Sequence, residues 1–184
     1  MPTVITHAAI PLAIGLGVGQ RVVSRRLLIA GVTASILPDL DTLSFHFGIP
    51  YGSPFGHRGF THSLIFAGVI AIAASISHRI LRTTSWWAFA FVFLSAASHG
   101  ILDTFTTGGK GVALLWPFSN TRFFAPIRMI QVSPIGVHRF FSRNEAHVIA
   151  SELLWVWLPM LLLFLLLRTW CNHRQVTPNL PRQR

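Results

Sequence analysis

Residues 86–105, WWAFAFVFLSAASHGILDTF, form an apolar run that decides the class of fold. Asp103 is its only charged residue, and its length matches the roughly 20 residues with which a helix crosses the hydrocarbon of a bilayer. The chain is 52% hydrophobic and 11% charged, whereas a soluble domain carries about 25% charged residues. Similar apolar stretches occupy residues 4–19, 27–38, 63–81 and 149–170. The sequence therefore predicts an all-α polytopic membrane protein with about five transmembrane helices, within a range of four to five.

The first two stretches are short, since sixteen helical residues extend only about 24 Å. They form either two short spans or one hairpin that dips into the membrane. A hairpin would bury Arg21, Arg25 and Arg26 at its tip, and each charge costs at least about 2.5 kcal/mol at the bilayer centre. Two spans are therefore favoured. Because arginines are enriched in short cytoplasmic segments, we expect the 20–26 turn and the C-terminus to be cytoplasmic and the N-terminus to lie outside.

The positive charge of the chain is explained better by topology than by nucleic-acid binding. Fifteen Lys and Arg against five Asp and Glu give a formal net charge of +10. The arginines lie between apolar runs, where they orient spans and contact phospholipid headgroups, so no nucleic-acid partner is expected. A single cysteine, Cys171, excludes an internal disulfide and a thiolate metal cluster. We expect a membrane domain over residues 1–170 and a polar cytoplasmic tail over residues 171–184.

Seven histidines and aspartates fall at the ends of the apolar stretches. His99 and Asp103 are four residues apart, so a helix presents both on one face. Asp39 and Asp41 are two apart and cannot share a helical face, so we expect the helix to loosen after Pro38. In the five-span topology, which was set by arginines alone, all seven lie at the outer side of the membrane. These residues are His7, Asp39, Asp41, His57, His62, His99 and Asp103.

The side chains in this set have the chemistry of a divalent-metal site. Neutral imidazoles and carboxylates bind Zn²⁺, Mn²⁺ or Fe²⁺, and seven donors exceed one tetrahedral shell, so the sequence allows one ion or two. His57 and His62 meet only if the chain turns between them, which Gly59 permits. Arg58 is a candidate to hold a substrate phosphate oxygen through paired donors. The alternatives are structural: Arg58 as a headgroup contact, the aspartates as helix ends, and His99 with Asp103 as a hydrogen-bonded pair.

Several other polar residues are weaker candidates. His46 lies in the loop between the site residues, and Glu145 and His147 flank the last span on the outer side, so each is a candidate to support the ligands. We expect Glu152, one turn into the last apolar stretch, to pair with an arginine. Thr61 is expected to cap the third helix.

Four short motifs follow one another along the chain: TH at 6–7, LPDLD at 37–41, HRGFTHS at 57–63 and SHGILD at 98–103. Their combination, over about residues 5–105, resembles the YdjM-like family of LexA-regulated inner-membrane metal-dependent hydrolases of bacteria. The resemblance implies a multi-span helical protein of the bacterial inner membrane with a divalent-metal hydrolase site. It places the ligands at the seven positions given above and implies SOS-regulated expression in some members. It names no substrate and gives no role to residues 106–148.

The favoured function is a membrane-embedded, divalent-metal-dependent hydrolase of an ester or phosphoester near the headgroup layer, acting on a membrane lipid or a lipid-linked substrate. A non-catalytic metal-binding protein or a transporter is the alternative, although transporter sites usually lie near the bilayer midplane. A metal-free lipid phosphatase of the PAP2 type would use the His-x-x-x-Asp pair at 99–103. That type also needs a Pro-Ser-Gly-His motif and a Lys-rich motif, which this sequence lacks.

Overall fold

Helices make up the regular structure of the part of the chain that the computed structural model describes, residues 2–132 and 145–176. The α-helices are α1 (Ala9–Val18), α2 (Arg25–Ile36), α3 (Leu64–Ile76), α4 (Ser85–Thr104), α5 (Glu145–Glu152) and α6 (Leu158–Val176). The 3-10 segments are Thr6–Ala8, Leu37–Phe47 and Phe60–His62, and a π-helix, Leu153–Trp157, joins α5 to α6. Residues 105–132 form an irregular loop with two isolated β-bridges. The prediction of an all-α membrane protein is confirmed.

Three of the five predicted segments form helices that are long and apolar enough to cross a membrane. They are Arg25–Phe47, in which the 3-10 segment extends α2, Ser85–Thr104, and Ala146–Arg174. The other two apolar segments, Thr6–Val18 and Leu64–Ile76, are shorter. The expected tail begins within α6, which continues to Val176, and residues 177–184 lie outside the described residues.

The third helix is shorter than the apolar stretch that predicted it. α3 ends at Ile76, and residues 77–84 turn back toward α4. Ser24 Oγ donates to the carbonyl of Leu81, and Arg26 Nη1 donates to the carbonyl of Ile80 at 3.0 Å. These bonds satisfy carbonyls that a continued helix would have used. The two arginine-rich turns, 20–26 and 79–82, therefore lie at the same end of the bundle.

α4 packs against both α2 and α3 in the centre of the bundle. The α3–α4 contact is made largely of buried alanines, among them Ala67, Ala71, Ala88 and Ala96. Small side chains let helix backbones approach closely, which replaces the missing hydrophobic driving force between helices in lipid. α1 packs against α6. This arrangement brings the first residues of α1 and α3 next to the last turns of α2 and α4.

Candidate metal centre

The seven histidines and aspartates singled out in the sequence come together at one end of the bundle. They form three overlapping groups: His7–Asp39–His99, Asp41–His57–His62 and His62–His99–Asp103. Within each group, one donor atom from every residue lies within 4.8 Å of the others. The convergence that was inferred from span ends is therefore present in the tertiary structure, with the residues supplied by several different helix ends and turns.

α4 supplies His99 and Asp103 from one face, as their spacing predicts, and both are fully buried. His99 Nδ1 lies 2.7 Å from the carbonyl oxygen of Ser35 on α2. Since a carbonyl only accepts, Nδ1 carries the proton and Nε2 keeps a lone pair. That nitrogen lies 3.0 Å from Nε2 of His62, so the two imidazoles present their Nε2 atoms to the same space.

The two aspartates after Pro38 point in different directions, and the chain leaves the α-helical conformation there, as expected. Leu37–Phe47 is a 3-10 helix, in which side chains two positions apart point about 120° away from each other. Asp39 Oδ1 lies 3.5 Å from His99 Nε2. Asp41 lies instead against the turn that carries His57 and His62. The two carboxylates therefore belong to two different groups of histidines.

Asp41 is surrounded by donors. Its Oδ1 lies 2.5 Å from His57 Nδ1. Its Oδ2 accepts from the backbone N–H of Arg58 at 3.0 Å and from the Thr61 hydroxyl at 2.7 Å, and it lies 3.1 Å from His62 Nδ1. A carboxylate that accepts the Nδ1 proton of a histidine fixes the ring and leaves Nε2 free for a metal. The contacts of Asp41 are therefore those of a carboxylate that orients histidine rings.

The turn between His57 and His62 depends on two unusual backbone positions. Arg58 has φ of 60°, in the left-handed region that non-glycine residues seldom adopt. A Cβ on Gly59 would overlap the carbonyl oxygen of Pro54, so only glycine fits the close approach of these two chain segments. The turn places the rings of His57 and His62 edge to face, with centroids 5.7 Å apart. The expectation that Gly59 permits the turn is confirmed.

His7 enters the cluster from the 3-10 turn before α1. Its ring stacks on His99 with centroids 3.7 Å apart, and its Nε2 lies 3.8 Å from both Asp39 Oδ2 and Asp103 Oδ1. Both ring nitrogens are buried without a hydrogen-bond partner, as are both oxygens of each aspartate. Such unpaired groups are rare in folded proteins, so this part of the cluster is incomplete as a hydrogen-bonded network.

Arg58 is buried beside Asp103. Its Nε lies 2.9 Å from Asp103 Oδ2, an ion pair in which the N–H bond is not aligned well enough for a hydrogen bond. Its Nη1 donates to the carbonyl of Gly108 at 3.0 Å, and its Nη2 is buried without a partner. One guanidinium donor therefore remains free next to the carboxylates.

Burial and hydrogen bonding shift the pKa of groups in the turns around the cluster. Burial alone lowers the pKa of His62, but its bonds to Asp103 and Asp41 outweigh burial and raise the pKa to about 9. Burial raises the pKa of the Tyr51 phenol above its ordinary value and lowers that of the Arg122 guanidinium. The contacts with Asp103 and Asp41 therefore favour the imidazolium form of His62, and a metal ion bound to this ring would compete with its second proton.

The structure differs from the sequence-based expectations for two individual side chains. Ser63, not Thr61, caps α3, because its side chain accepts from the N–H of Phe66. Thr61 turns toward Asp41 instead. Glu152 pairs with no arginine of residues 2–132 and 145–176: its carboxylate accepts from the backbone N–H of Thr3 at 2.5 Å and from the hydroxyls of Thr3 and Thr6 at 2.7 and 2.6 Å.

Among the weaker candidates, His46 and His147 are exposed, and the side chain of Glu145 lies outside the described residues. Arg122 was missed as a supporting residue. Its partners are backbone carbonyls rather than side chains, and such contacts leave no pattern in a sequence. Only the irregular character of loop 105–132 indicated that this segment needed interactions of its own.

Comparison with known proteins agrees with this picture. The sequence profile of the YdjM inner membrane protein family matches residues 1–176. Inner membrane protein YbcI of Escherichia coli (strain K12) is 51% identical over 175 residues, which cover 95% of this chain and 100% of that protein. Inner membrane protein YdjM of the same strain, and that of Shigella flexneri, are 29% identical over 143 residues. That match covers 71% of this chain and 65% of either YdjM protein.

No solved structure matches the chain. The relatives are named inner membrane proteins, three of the described helices are long and apolar enough to span a membrane, and the family profile covers nearly the whole sequence. The chain therefore belongs to the YdjM inner membrane protein family.

Proposed function

We propose that this protein is a divalent-metal-dependent hydrolase of the inner membrane that cleaves an ester or phosphoester near the lipid headgroups. The observation that carries the proposal is the set of buried atoms without a hydrogen-bond partner on His7, Asp39 and Asp103. Arg58 supplies a counter-charge to Asp103 alone, and burying a carboxylate without compensation costs several kcal/mol or shifts its protonation. A divalent cation neutralises both aspartates and accepts the free nitrogen lone pair at the same time.

The distances fit a cation held within the His7–Asp39–His99 group or the overlapping His62–His99–Asp103 group. Ligand atoms about 2.0–2.2 Å from an ion lie about 3–4 Å from one another. The donor atoms of His7, Asp39, His99 and Asp103 are separated by 3.5 to 3.8 Å where they face each other, and those of His62 and Asp103 by 3.3 Å. We assign these five residues as the ligands. A mixed imidazole and carboxylate set suits Zn²⁺, Mn²⁺ or Fe²⁺.

Asp41 and His57 have a supporting role in this proposal. The oxygens of Asp41 are already engaged by the Nδ1 atoms of His57 and His62, by Thr61 and by the Arg58 amide. Asp41 thereby holds the His62 ring with Nε2 toward the other ligands. His57 would become a ligand if a second ion bound in the Asp41–His57–His62 group, so measured stoichiometry decides between one ion and two.

Arg58 is the proposed substrate-binding residue. A divalent ion at this site supplies Lewis acidity and lowers the pKa of bound water. The chain itself supplies a buried guanidinium whose Nη2 is unpartnered and whose Nε is paired with Asp103. A donor fixed beside the ligands is suited to hold an anionic oxygen of the substrate, since charge-assisted hydrogen bonds to phosphate are strong and directional. This favours phosphoesters over neutral esters.

The topology that accompanies the function is also a proposal. The distribution of arginines favours an outward-facing site, a cytoplasmic C-terminus and one membrane domain over residues 1–170. A membrane lipid or a lipid-linked molecule is the expected substrate, and no nucleic acid is expected as a partner. LexA-controlled expression remains a prediction from the resemblance.

The test is metal analysis followed by turnover. The full chain, purified in detergent, should contain Zn, Mn or Fe in a ratio of one or two per chain. It should hydrolyse phosphodiester or ester model substrates, lose activity with a chelator and regain it with the same metal. Asp103→Asn should abolish both metal content and turnover, whereas Arg58→Lys should keep the metal and lose turnover. A purified chain that contains no metal and binds none would refute the proposal.

The near-complete burial of the cluster favours one alternative, a structural metal site. His7, His99 and Asp103 are each 0% exposed, and structural metal sites are closed, whereas catalytic sites keep an open position. In that case metal would be bound stoichiometrically, no substrate would turn over, and removing the metal would unfold the bundle. The same purified protein answers both questions.

A further inference from the structure

Arg122 lies in the loop after α4 and makes contacts that the proposed function does not use. Its guanidinium donates to five backbone carbonyls at once. Nη1 donates to His57, Arg58 and Gly111 at 3.3 Å each, and Nη2 donates to Tyr51 and Ser53 at 3.1 Å each. No acidic side chain of the described residues lies within ion-pairing distance of it.

Two of these carbonyls belong to the residues that connect the turn to the cluster. His57 approaches Asp41 through its Nδ1. Arg58 donates its amide to Asp41 and lies in an ion pair with Asp103. The carbonyls of the same two residues accept from Nη1 of Arg122 on the opposite side of the turn. Arg122 therefore holds the backbone from outside while the side chains reach inward.

The turn needs such support because its conformation is unfavourable by itself. Arg58 has a positive φ of 60°, where a side chain crowds its own backbone. A strained position persists when the surroundings fix it from several directions. Besides Arg122, the N–H of Ala113 donates to the Arg58 carbonyl at 3.1 Å. Loop 105–132 thus provides the binding surface for this turn.

We infer that Arg122 is a positioning residue for the metal centre: it holds the His57–Arg58 turn so that Asp41 and Asp103 are correctly oriented. The inference rests on the proposed function for its effect on metal binding. Whether Arg122 holds the His57–Arg58 turn can be tested without metal. The inference also gives loop 105–132 a defined role, as a scaffold for the site. A lysine cannot replace Arg122, since a compact ammonium lacks the planar fork that reaches two sets of carbonyls.

The experiment compares Arg122→Lys with Arg128→Lys in the full chain in detergent micelles. Arg128 is the matched control: it lies in the same loop, is exposed, and stacks on Phe124 at 3.9 Å from the ring centroid. Neither change alters the net charge. Two readouts need no metal: hydrogen exchange of peptides covering residues 51–63, and the rate at which diethyl pyrocarbonate modifies His57, which is 1% exposed. A third is the Zn²⁺ dissociation constant, measured against a competing chelator.

In Arg122→Lys we expect the rate of hydrogen exchange over residues 51–63 and the rate of His57 modification to rise about tenfold. The Zn²⁺ dissociation constant should also rise about tenfold, as for other residues that orient ligands. Arg128→Lys should leave all three within twofold. An Arg122→Gly variant should regain Zn²⁺ affinity when free guanidinium is added, a rescue that a general loss of stability would not give.

The outcomes separate the two proposals. If hydrogen exchange and His57 modification are unchanged in Arg122→Lys, Arg122 does not hold the turn and the inference is wrong. Faster exchange with unaltered Zn²⁺ affinity would make Arg122 a structural residue only and overturn its positioning role. If the wild-type chain binds no metal, the proposed function fails, and the two metal-free readouts still decide whether Arg122 holds the turn.

Discussion

Gly100, next to His99 on α4, allows the metal-centre residues to approach each other, and replacing it with alanine tests the geometry directly. A Cβ at this position would lie 2.5 Å from the carbonyl oxygen of His62 and 3.1 Å from Leu114 Cδ2. Ordinary carbon–oxygen contacts in proteins are no closer than about 3.3–3.6 Å. The His62 carbonyl would therefore have to move by about 1 Å, and the His62 ring would move with it.

The size of the effect follows from that displacement. Sites of this kind tolerate about 0.5 Å of error, and a misplacement of about 1 Å can cost about 100-fold in function. We expect Gly100→Ala to weaken metal binding about 10- to 100-fold, which corresponds to about 1.4–2.7 kcal/mol. Overpacking costs about 1–3 kcal/mol of stability, which exceeds the gain of about 0.5–1 kcal/mol that alanine brings to a helix.

Gly68→Ala on α3 is the matched control, since a Cβ there would have no neighbour within 4 Å. It should raise the stability of the helix slightly and leave metal affinity unchanged. Metal affinity is measured by chelator competition and stability by thermal unfolding followed by circular dichroism, both in detergent. If Gly100→Ala were as stable as the control and bound metal within twofold of the wild type, the packing of His62 against α4 would be wrong.

Three further predictions concern the metal dependence of stability and two individual hydrogen-bonding residues. A chelator should lower the melting temperature of the wild type and added Zn²⁺ should restore it, because a ligand that binds only the folded state stabilises it; identical melting curves would contradict a folded-state metal site. Thr61→Val, which removes a donor to Asp41, should weaken metal binding about tenfold and leave the helix content by circular dichroism unchanged, whereas a loss of helix would indicate a capping role. Glu152→Gln should destabilise the protein by about 1.5–3 kcal/mol through weaker bonds to Thr3 and Thr6, as measured by chemical denaturation in mixed micelles. A denaturation curve unchanged from that of the wild type would mean that the carboxylate does not fasten the N-terminal turn.

The class of fold could be predicted from the sequence because hydrophobic length is a local property. A run such as 86–105 requires a helix wherever it enters a bilayer, since each backbone group must be bonded within the segment. The ends of the helices were less predictable. α3 stops at Ile76, and the turn that follows it is held by bonds from Ser24 and Arg26 to its carbonyls, which are contacts between residues distant in sequence.

The composition of the candidate site could also be predicted. Ionisable residues at membrane-segment ends are costly and seldom accidental, so His7, Asp39 and Asp103 were identifiable without coordinates. Their individual roles were not. Asp39 has no hydrogen-bond partner for either carboxylate oxygen, whereas four donors surround Asp41. This difference depends on the 3-10 helix and the neighbouring turn.

The sequence by itself determined that this chain is a helical membrane protein and that imidazoles and carboxylates gather at one end of it, because hydrophobic length and the cost of buried charge are written in local residue patterns. Only the tertiary structure decided which atoms remain unpaired around His7, which carboxylate orients the histidines, and that Arg122 holds the turn. Those contacts join residues far apart in the chain through backbone carbonyls and ring orientations, and their geometry depends on how the helices pack.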